Sequence, residues 1–193
     1  MKDYPRIEVS SRRAFRNWLA DNHAAHGPIW LVSYKKAAGA RYLPYAAIVE
    51  EALCFGWIDS LPRKLDAERS MLLLAPRKPG SGWSKVNRER VAQLIEAGQM
   101  TPAGLARINA AKADGSWDRL KAAESGVAPD DLAEALAAAK ASGGWAEFSG
   151  SVRRNALVFL QDAKTPATRA RRIAKIVDGA AAGVDPMRWQ PKA

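Results

Sequence analysis

The stretch Glu50–Arg90, EEALCFGWIDSLPRKLDAERSMLLLAPRKPGSGWSKVNRER, carries the signals that decide the fold. Within it, Met71–Leu74 is a continuous apolar run, which is typical of a strand buried on both faces. The run Pro76–Gly82 follows, and its two prolines and two glycines cannot continue a strand or a helix. A helix is predicted to begin at Ser84 and to stop at Gly98. The predicted order is therefore a strand, a basic loop and a helix.

The same stretch begins with the end of another helix. Ile48, Val49, Ala52 and Leu53 have helical spacing, and Gly56 suits a left-handed helix end. An extended segment is predicted to start at Trp57, and Pro62 is expected to interrupt it.

The residues before this stretch add further elements. Ser10 or Ser11 is expected to cap a helix that buries Phe15 and Leu19 and ends near His23. Ile29–Lys36 is β-branched and aromatic, which predicts a strand. Few strands with short connections indicate an α+β fold, with a small mixed or antiparallel sheet that carries helices.

Helices are predicted for the second half of the chain. Thr101-Pro102 and Thr165-Pro166 are both strong helix starts, because threonine caps and proline suits the first turn. Gly143-Gly144 is expected to end one helix and Ser151 to cap the next.

The predicted domain organisation follows from this change in pattern. Residues 1–123 are expected to form the α+β domain, and residues 124–193 a helical region packed on it. Inside the last helix, Ala170, Ile173, Ala174 and Val177 are predicted to face inward, and Trp189 to pack back on the fold.

Composition and charge narrow the function classes. The formal net charge of +10 favours anionic partners, although a basic protein need not have a specific one. Cys54, the single cysteine, is expected to be a small core residue. With two histidines and one cysteine, neither a metal site nor a cofactor motif is predicted. No signal peptide or transmembrane run is apparent, which predicts a cytoplasmic protein.

Several separated motifs resemble one bacterial family. They are FRNWLADNH, GPIWLVSYKK, EALCFGWIDS, APRKPGSGWSKVNRERVAQLIEAGQMTPAG and SVRRNALVFLQDAKTPATRARRI, in this order along the chain. The chain thereby resembles the YdeI/OmpD-associated, bacteriocin-protection-like proteins. The resemblance implies a role in stress or envelope protection, and it carries no catalytic residues to this chain.

The first candidate site is the basic loop, which we define as Arg77–Lys85. Backbone N–H groups near a helix start, flexible glycines and basic side chains together favour an anion. The loop matches neither the phosphate-loop nor the dinucleotide fingerprint, so a structural turn anchored by Trp83 is the alternative. The predicted ligand-binding residues are Trp57, Asp59, Arg77, Lys78, Gly80, Ser81, Gly82, Trp83, Ser84 and Lys85.

Two carboxylates are candidates for acid or base catalysis. Asp59 follows the apolar pair Trp57-Ile58, so partial burial is expected, and an arginine partner would stabilise it. A structural ion pair is the alternative explanation. Glu51 is the second candidate, and it is expected to be solvated.

A third candidate is a basic C-terminal face. Arg153, Arg154, Arg169 and Arg172 lie on predicted helices where acidic residues are scarce, and such a face could contact nucleic-acid phosphates. A solvated basic surface is the alternative.

These patterns leave three functions open. The first is a binding protein for a small anion or an acidic protein surface. The second is an enzyme with a carboxylate in a tryptophan-lined pocket, and the third is a non-specific nucleic-acid binder.

Overall fold

The N-terminal half forms a four-stranded mixed sheet in a computed structural model, which describes residues 3–188. Trp189 lies outside the described residues. The strands follow one another across the sheet in the order β1, β2, β4, β3. Strands β1 and β2 are parallel, whereas β4 is antiparallel to both β2 and β3. The bounds are β1 Arg6–Glu8, β2 Ile29–Tyr34, β3 Trp57–Lys64 and β4 Arg69–Pro76. The α+β prediction is confirmed.

Helices connect and flank these strands. A short 3-10 helix (Lys36–Arg41) follows β2, and the other bounds are α1 Arg12–Asn22, α2 Tyr45–Cys54, α3 Lys85–Glu96 and α4 Pro102–Ala113. The hydroxyls of Ser11, Ser84 and Thr101 each accept the N–H three residues onward. Each therefore satisfies a backbone donor that the first turn would leave without a partner, as the sequence predicted.

Alternation along the two central strands divides the apolar side chains between two faces. Ile29 and Leu31 of β2, with Leu72 and Leu74 of β4, belong to the main core with the helices. Trp30, Val32 and Met71 form a smaller cluster on the opposite face. This two-sided burial explains why Met71–Leu74 is apolar without interruption.

Strand β3 continues through Pro62, so the predicted interruption is wrong. Pro62 pairs with Leu72, and the register shifts between Asp59 and Pro62. Proline has no N–H for a central strand, but β3 lies at the sheet edge and contains this irregularity, where proline is tolerated.

Helix α4 is fixed against the end of α2 by a small residue and a hydroxyl. Thr101 Oγ1 donates to the Cys54 carbonyl at 2.6 Å. A Cβ on Gly104 would lie 2.3 Å from the same carbonyl oxygen, so only glycine permits this approach. Cys54 itself is buried, as predicted, and burial raises the pKa of its thiol.

The chain divides into two compact units, Met1–Asp118 and Arg119–Ala193. The second unit is helical, and its apolar residues form a core of their own. Its helices are α5 Lys121–Glu124, α6 Asp130–Ala138, α7 Ser142–Glu147, α8 Gly150–Gln161 and α9 Pro166–Ala182. Among residues 3–188, no helix is long and apolar enough to cross a membrane.

Two helix boundaries in this unit differ from the predictions. Helix α6 ends before Lys140, which adopts a left-handed conformation with φ of 55°. Gly143 and Gly144 instead lie within α7. A Cβ on Gly144 would be 1.9 Å from the Ala180 carbonyl oxygen of α9, which explains why a glycine lies inside this helix. The cap of α8 is Ser149 rather than Ser151.

The predicted inward face of α9 is partly wrong. Ile173 and Val177 pack against the core of this unit, as expected. Ala170 and Ala174 are exposed, and the fully buried positions are Ile176 and Ala180. Alanines occur on both sides of this helix, so the sequence pattern does not define its inward face.

Candidate functional site

The basic loop is organised around a stacked pair, Arg77 and Trp83. Both side chains are buried, and the Arg77 guanidinium carbon lies 3.8 Å from the centre of a Trp83 ring. Arg77 Nη2 donates to the Gly82 carbonyl at 2.8 Å. Burial lowers the pKa of Arg77 to about 10, while the negative charge of Asp59 acts in the opposite direction. Arg77 is therefore a buried cation at neutral pH.

Asp114 supplies a carboxylate to the same loop. The Gly80 N–H donates to Asp114 Oδ2 at 3.2 Å, and the Ser116 N–H donates to Oδ1 at 2.8 Å. A hydrogen bond from the Ser116 hydroxyl has the largest effect, and together with these two N–H groups it lowers the pKa of Asp114. Gly80 has φ of 71°, which accounts for a glycine at this position. An anion from the chain itself thus occupies one backbone donor of the loop.

The remaining loop residues have different environments. Lys78 and Lys85 are exposed, and Ser81 Oγ donates to the Lys78 carbonyl. Ser84 caps α3 with its own hydroxyl. A cavity of about 30 Å³ lies between the loop and α4, and its lining includes Arg77, Lys78, Arg107 and Asp114.

Asp59 lies beside Tyr45 rather than in a tryptophan-lined pocket. The Tyr45 hydroxyl donates to Asp59 Oδ2 at 2.6 Å. Trp57 is buried, and its Nε1–H donates to the His23 carbonyl. Asp59 does not line the pocket that Trp57 lines. Catalysis by Asp59 or Glu51 stays a prediction.

A titration tests the Tyr45–Asp59 contact. Partial burial, then the hydrogen bond to Asp59 and its negative charge, raise the pKa of Tyr45 from 10 to about 12. The stabilisation that this contact gives is present below pH 10 and is lost as the pH rises towards 12, because the folded-state pKa is the higher one. The tyrosinate absorbance of Tyr45 is the part that is missing in Tyr45→Phe. It should therefore develop near pH 12. In Asp59→Asn it should develop at lower pH. Circular dichroism at each pH confirms that the protein is folded, and an unchanged midpoint in Asp59→Asn would refute the contact.

Glu51 is buried, so the expectation that it is solvated is wrong. Its side chain is 3% exposed, and its two carboxylate oxygens accept from Arg12 Nε at 2.6 Å and Arg16 Nη1 at 2.8 Å. Arg16 also donates to the Gln99 carbonyl at 2.7 Å. This cluster joins α1, α2 and the turn between α3 and α4. The sequence held no local signal for it, because the partners are 35 and 39 positions away.

A larger pocket, of about 400 Å³, lies beside the ends of α1 and α2. We call it the histidine pocket, and its lining includes His23, His26, Phe55, Trp57, Ala106 and Arg107. None of its lining residues is acidic. Sequence reasoning missed this site, because the two histidines were interpreted as the end of a helix and α4 contributes the arginine. In residues 3–188 no group of three or more His, Cys, Asp or Glu side chains could hold a metal ion.

The four arginines of the C-terminal basic face have separate roles in the helical unit. Arg169 forms an ion pair with Asp131, and Arg172 stacks on the Phe159 ring at 4.4 Å. Arg154 is exposed, whereas Arg153 is half-buried and its Nε has no hydrogen-bond partner in the described residues. Nucleic-acid binding by this face stays a prediction.

The fold and these clusters define an α+β unit with buried and exposed cations, followed by a helical unit. Residues 7–107, just over half of the 193 residues, match a family model described as "Domain of unknown function (DUF8412)". The chain belongs to this family. Residues 126–183 match the model described as "Bacteriocin-protection, YdeI or OmpD-Associated", which confirms the resemblance over this segment. No curated protein and no solved structure matched the chain.

Proposed function

We propose that the chain is an anion-binding protein, with the basic loop as its site. The observation that carries the proposal is Arg77, a guanidinium that is 5% exposed. Its hydrogen bonds go to the carbonyls of Ser81 and Gly82, and no described carboxylate lies within ion-pair distance. Asp59 acts on this charge only from beyond ion-pair distance, so the buried guanidinium stays costly and the protein gains stability when an anion approaches it.

The charges around the small cavity support the same conclusion. Its lining contains three basic side chains, those of Arg77, Lys78 and Arg107, against the single carboxylate of Asp114. The Lys78 and Arg107 side chains form no ion pair with another described residue. An excess of positive charge at a concave surface attracts anions.

The size of the cavity limits what can enter it. About 30 Å³ accommodates one water-sized group, such as chloride or one oxygen of a phosphate. A larger anion would keep its other atoms outside, next to the exposed Lys78. Inorganic phosphate and chloride are therefore suitable probes.

Asp114 competes with the ligand in this proposal. Its carboxylate accepts the Gly80 N–H, so it supplies negative charge where the anion would approach. Removal of that charge should strengthen anion binding, whereas removal of the Lys78 charge should weaken it. The two changes thus have opposite expected signs.

We expect Asp114→Asn to raise phosphate affinity about fivefold and Lys78→Ala to lower it about fivefold, since one partly exposed charge contributes ~1 kcal/mol. Calorimetric titration at constant ionic strength measures both affinities. Lys64→Ala, which removes an exposed charge on β3, is the matched control and should have no effect. Equal affinities in all four proteins, or thermal stabilisation that follows ionic strength alone, would reject the proposal.

A further inference from the structure

We infer that the histidine pocket binds a planar organic acid, with its ring against the rings of His23 and His26 and an acidic group at Arg107. This inference goes beyond the proposed function, because the ligand class and the pocket are different. The two sites share Arg107, which lines both cavities.

The volume and the walls of the pocket suit a ring. A volume of about 400 Å³ lies in the range of small-molecule sites. The His23 ring lies 5.3 Å from the buried Phe55 ring, and the His26 ring lies 5.5 Å from the Trp18 ring. These aromatic neighbours hold the two histidine rings in place, so that the wall exists before a ligand enters.

Arg107 supplies the charge that selects an acid. No acidic residue lines the pocket, and Arg107 forms no ion pair with a described residue. A guanidinium without a carboxylate partner can donate two parallel hydrogen bonds to a ligand carboxylate. The polarity of the pocket is therefore complementary to an anion.

The stem of Arg107 is held by a glycine. A Cβ on Gly56 would lie 2.6 Å from Arg107 Cγ, so the stem of the arginine side chain lies directly over this glycine. Gly56 also has φ of 74°, which disfavours any other residue. This packing limits the positions of the guanidinium and lowers the entropy lost on binding.

The ring of His23 is held by the backbone. Its Nδ1 lies 2.9 Å from the Leu19 carbonyl oxygen, which can only accept, so Nδ1 carries a proton. In the neutral ring Nε2 is then an acceptor, so the acidic group of the ligand is left to Arg107. His26, whose ring lies 5.5 Å from Trp18, completes this side of the pocket.

The experiment uses benzoate as the probe and benzyl alcohol as its uncharged counterpart. Calorimetric titration gives affinities, and the NMR signals of Trp57, His23 and His26 report the location. Arg107→Met removes the charge but keeps the stem over Gly56, and Ala106→Leu fills the pocket. Asn109→Leu, on the exposed side of α4, is the control for Ala106→Leu. Lys78→Ala separates this pocket from the basic loop.

We expect the unmodified protein to bind benzoate about tenfold more tightly than benzyl alcohol. Arg107→Met should remove this preference, and Ala106→Leu should abolish binding of both probes. Asn109→Leu and Lys78→Ala should leave both affinities unchanged. Absence of benzoate binding at millimolar concentration, equal binding of both probes, or signals that move outside the pocket would overturn the inference. Failure of phosphate binding at the basic loop would leave the inference standing, because Lys78 and Asp114 line only the small cavity and His23, His26 and Ala106 only the histidine pocket.

Discussion

The double variant Arg12→Ala/Arg16→Ala should lose ~3 kcal/mol of unfolding free energy, the largest loss that we expect from removal of charge. The reason is Glu51, whose carboxylate is 3% exposed and is held by these two guanidinium groups. Breaking a buried ion pair leaves a charge with neither water nor a partner. The expected value lies at the lower end of the known range because both arginine side chains are about one-third exposed, so their removal lets water approach the Glu51 carboxylate.

A third substitution distinguishes this explanation from a general loss of packing. Adding Glu51→Met to the double variant removes the orphaned carboxylate, so more than half of the lost stability should return. Arg13→Ala, at an exposed position of the same helix, is the control and should have little effect. Urea unfolding measures all four proteins. If Glu51→Met makes the double variant less stable still, the buried carboxylate is not the source of the loss.

Gly144→Ala should cost about 3 kcal/mol in the helical unit, at the upper end of the usual cost of overpacking. The new Cβ would lie 1.9 Å from the Ala180 carbonyl oxygen and 2.9 Å from its carbon. Both obstacles belong to the backbone of α9, so no side-chain rotation can relieve them. Helices α7 and α9 must therefore move apart, and the contacts between them are lost.

The neighbouring glycine provides a matched control. Gly143 lies in the same helix, and a Cβ there would meet nothing within 4 Å. Gly143→Ala should therefore stabilise the protein by roughly 0.5–1 kcal/mol, because alanine has less freedom to lose on folding. Urea unfolding followed by helical circular dichroism compares the two variants. Similar stabilities for both would show that α7 and α9 do not pack as closely as described.

The sequence predicted features that depend on a few neighbouring residues. The caps Ser84 and Thr101 are examples, because the hydroxyl and the N–H that it accepts are three positions apart. The apolar run Met71–Leu74 predicted a strand buried on both faces for a similar reason, since alternation within the strand assigns its faces. Local chemistry alone decides these outcomes.

Features that depend on distant partners were not predictable. Gly144 resembles a helix end until α9 is placed against it. Glu51 resembles a surface residue until the arginines of α1 approach. The histidine pocket requires three helices, and Arg107 is more than eighty positions from His23 in the chain. A single sequence contains no signal for such contacts, because the packing of helices and strands, and not the spacing of residues along the chain, determines which side chains meet.

The irregular edge strand β3 also affects how copies of the chain meet. An edge strand offers unpaired backbone groups to which a strand of another molecule can add. Pro62 has no N–H to offer, and the register shift beside it bends the edge. The opposite edge, β1, is three residues long. Both edges of the sheet are therefore poor templates for strand addition, which protects this basic protein from aggregation through its sheet.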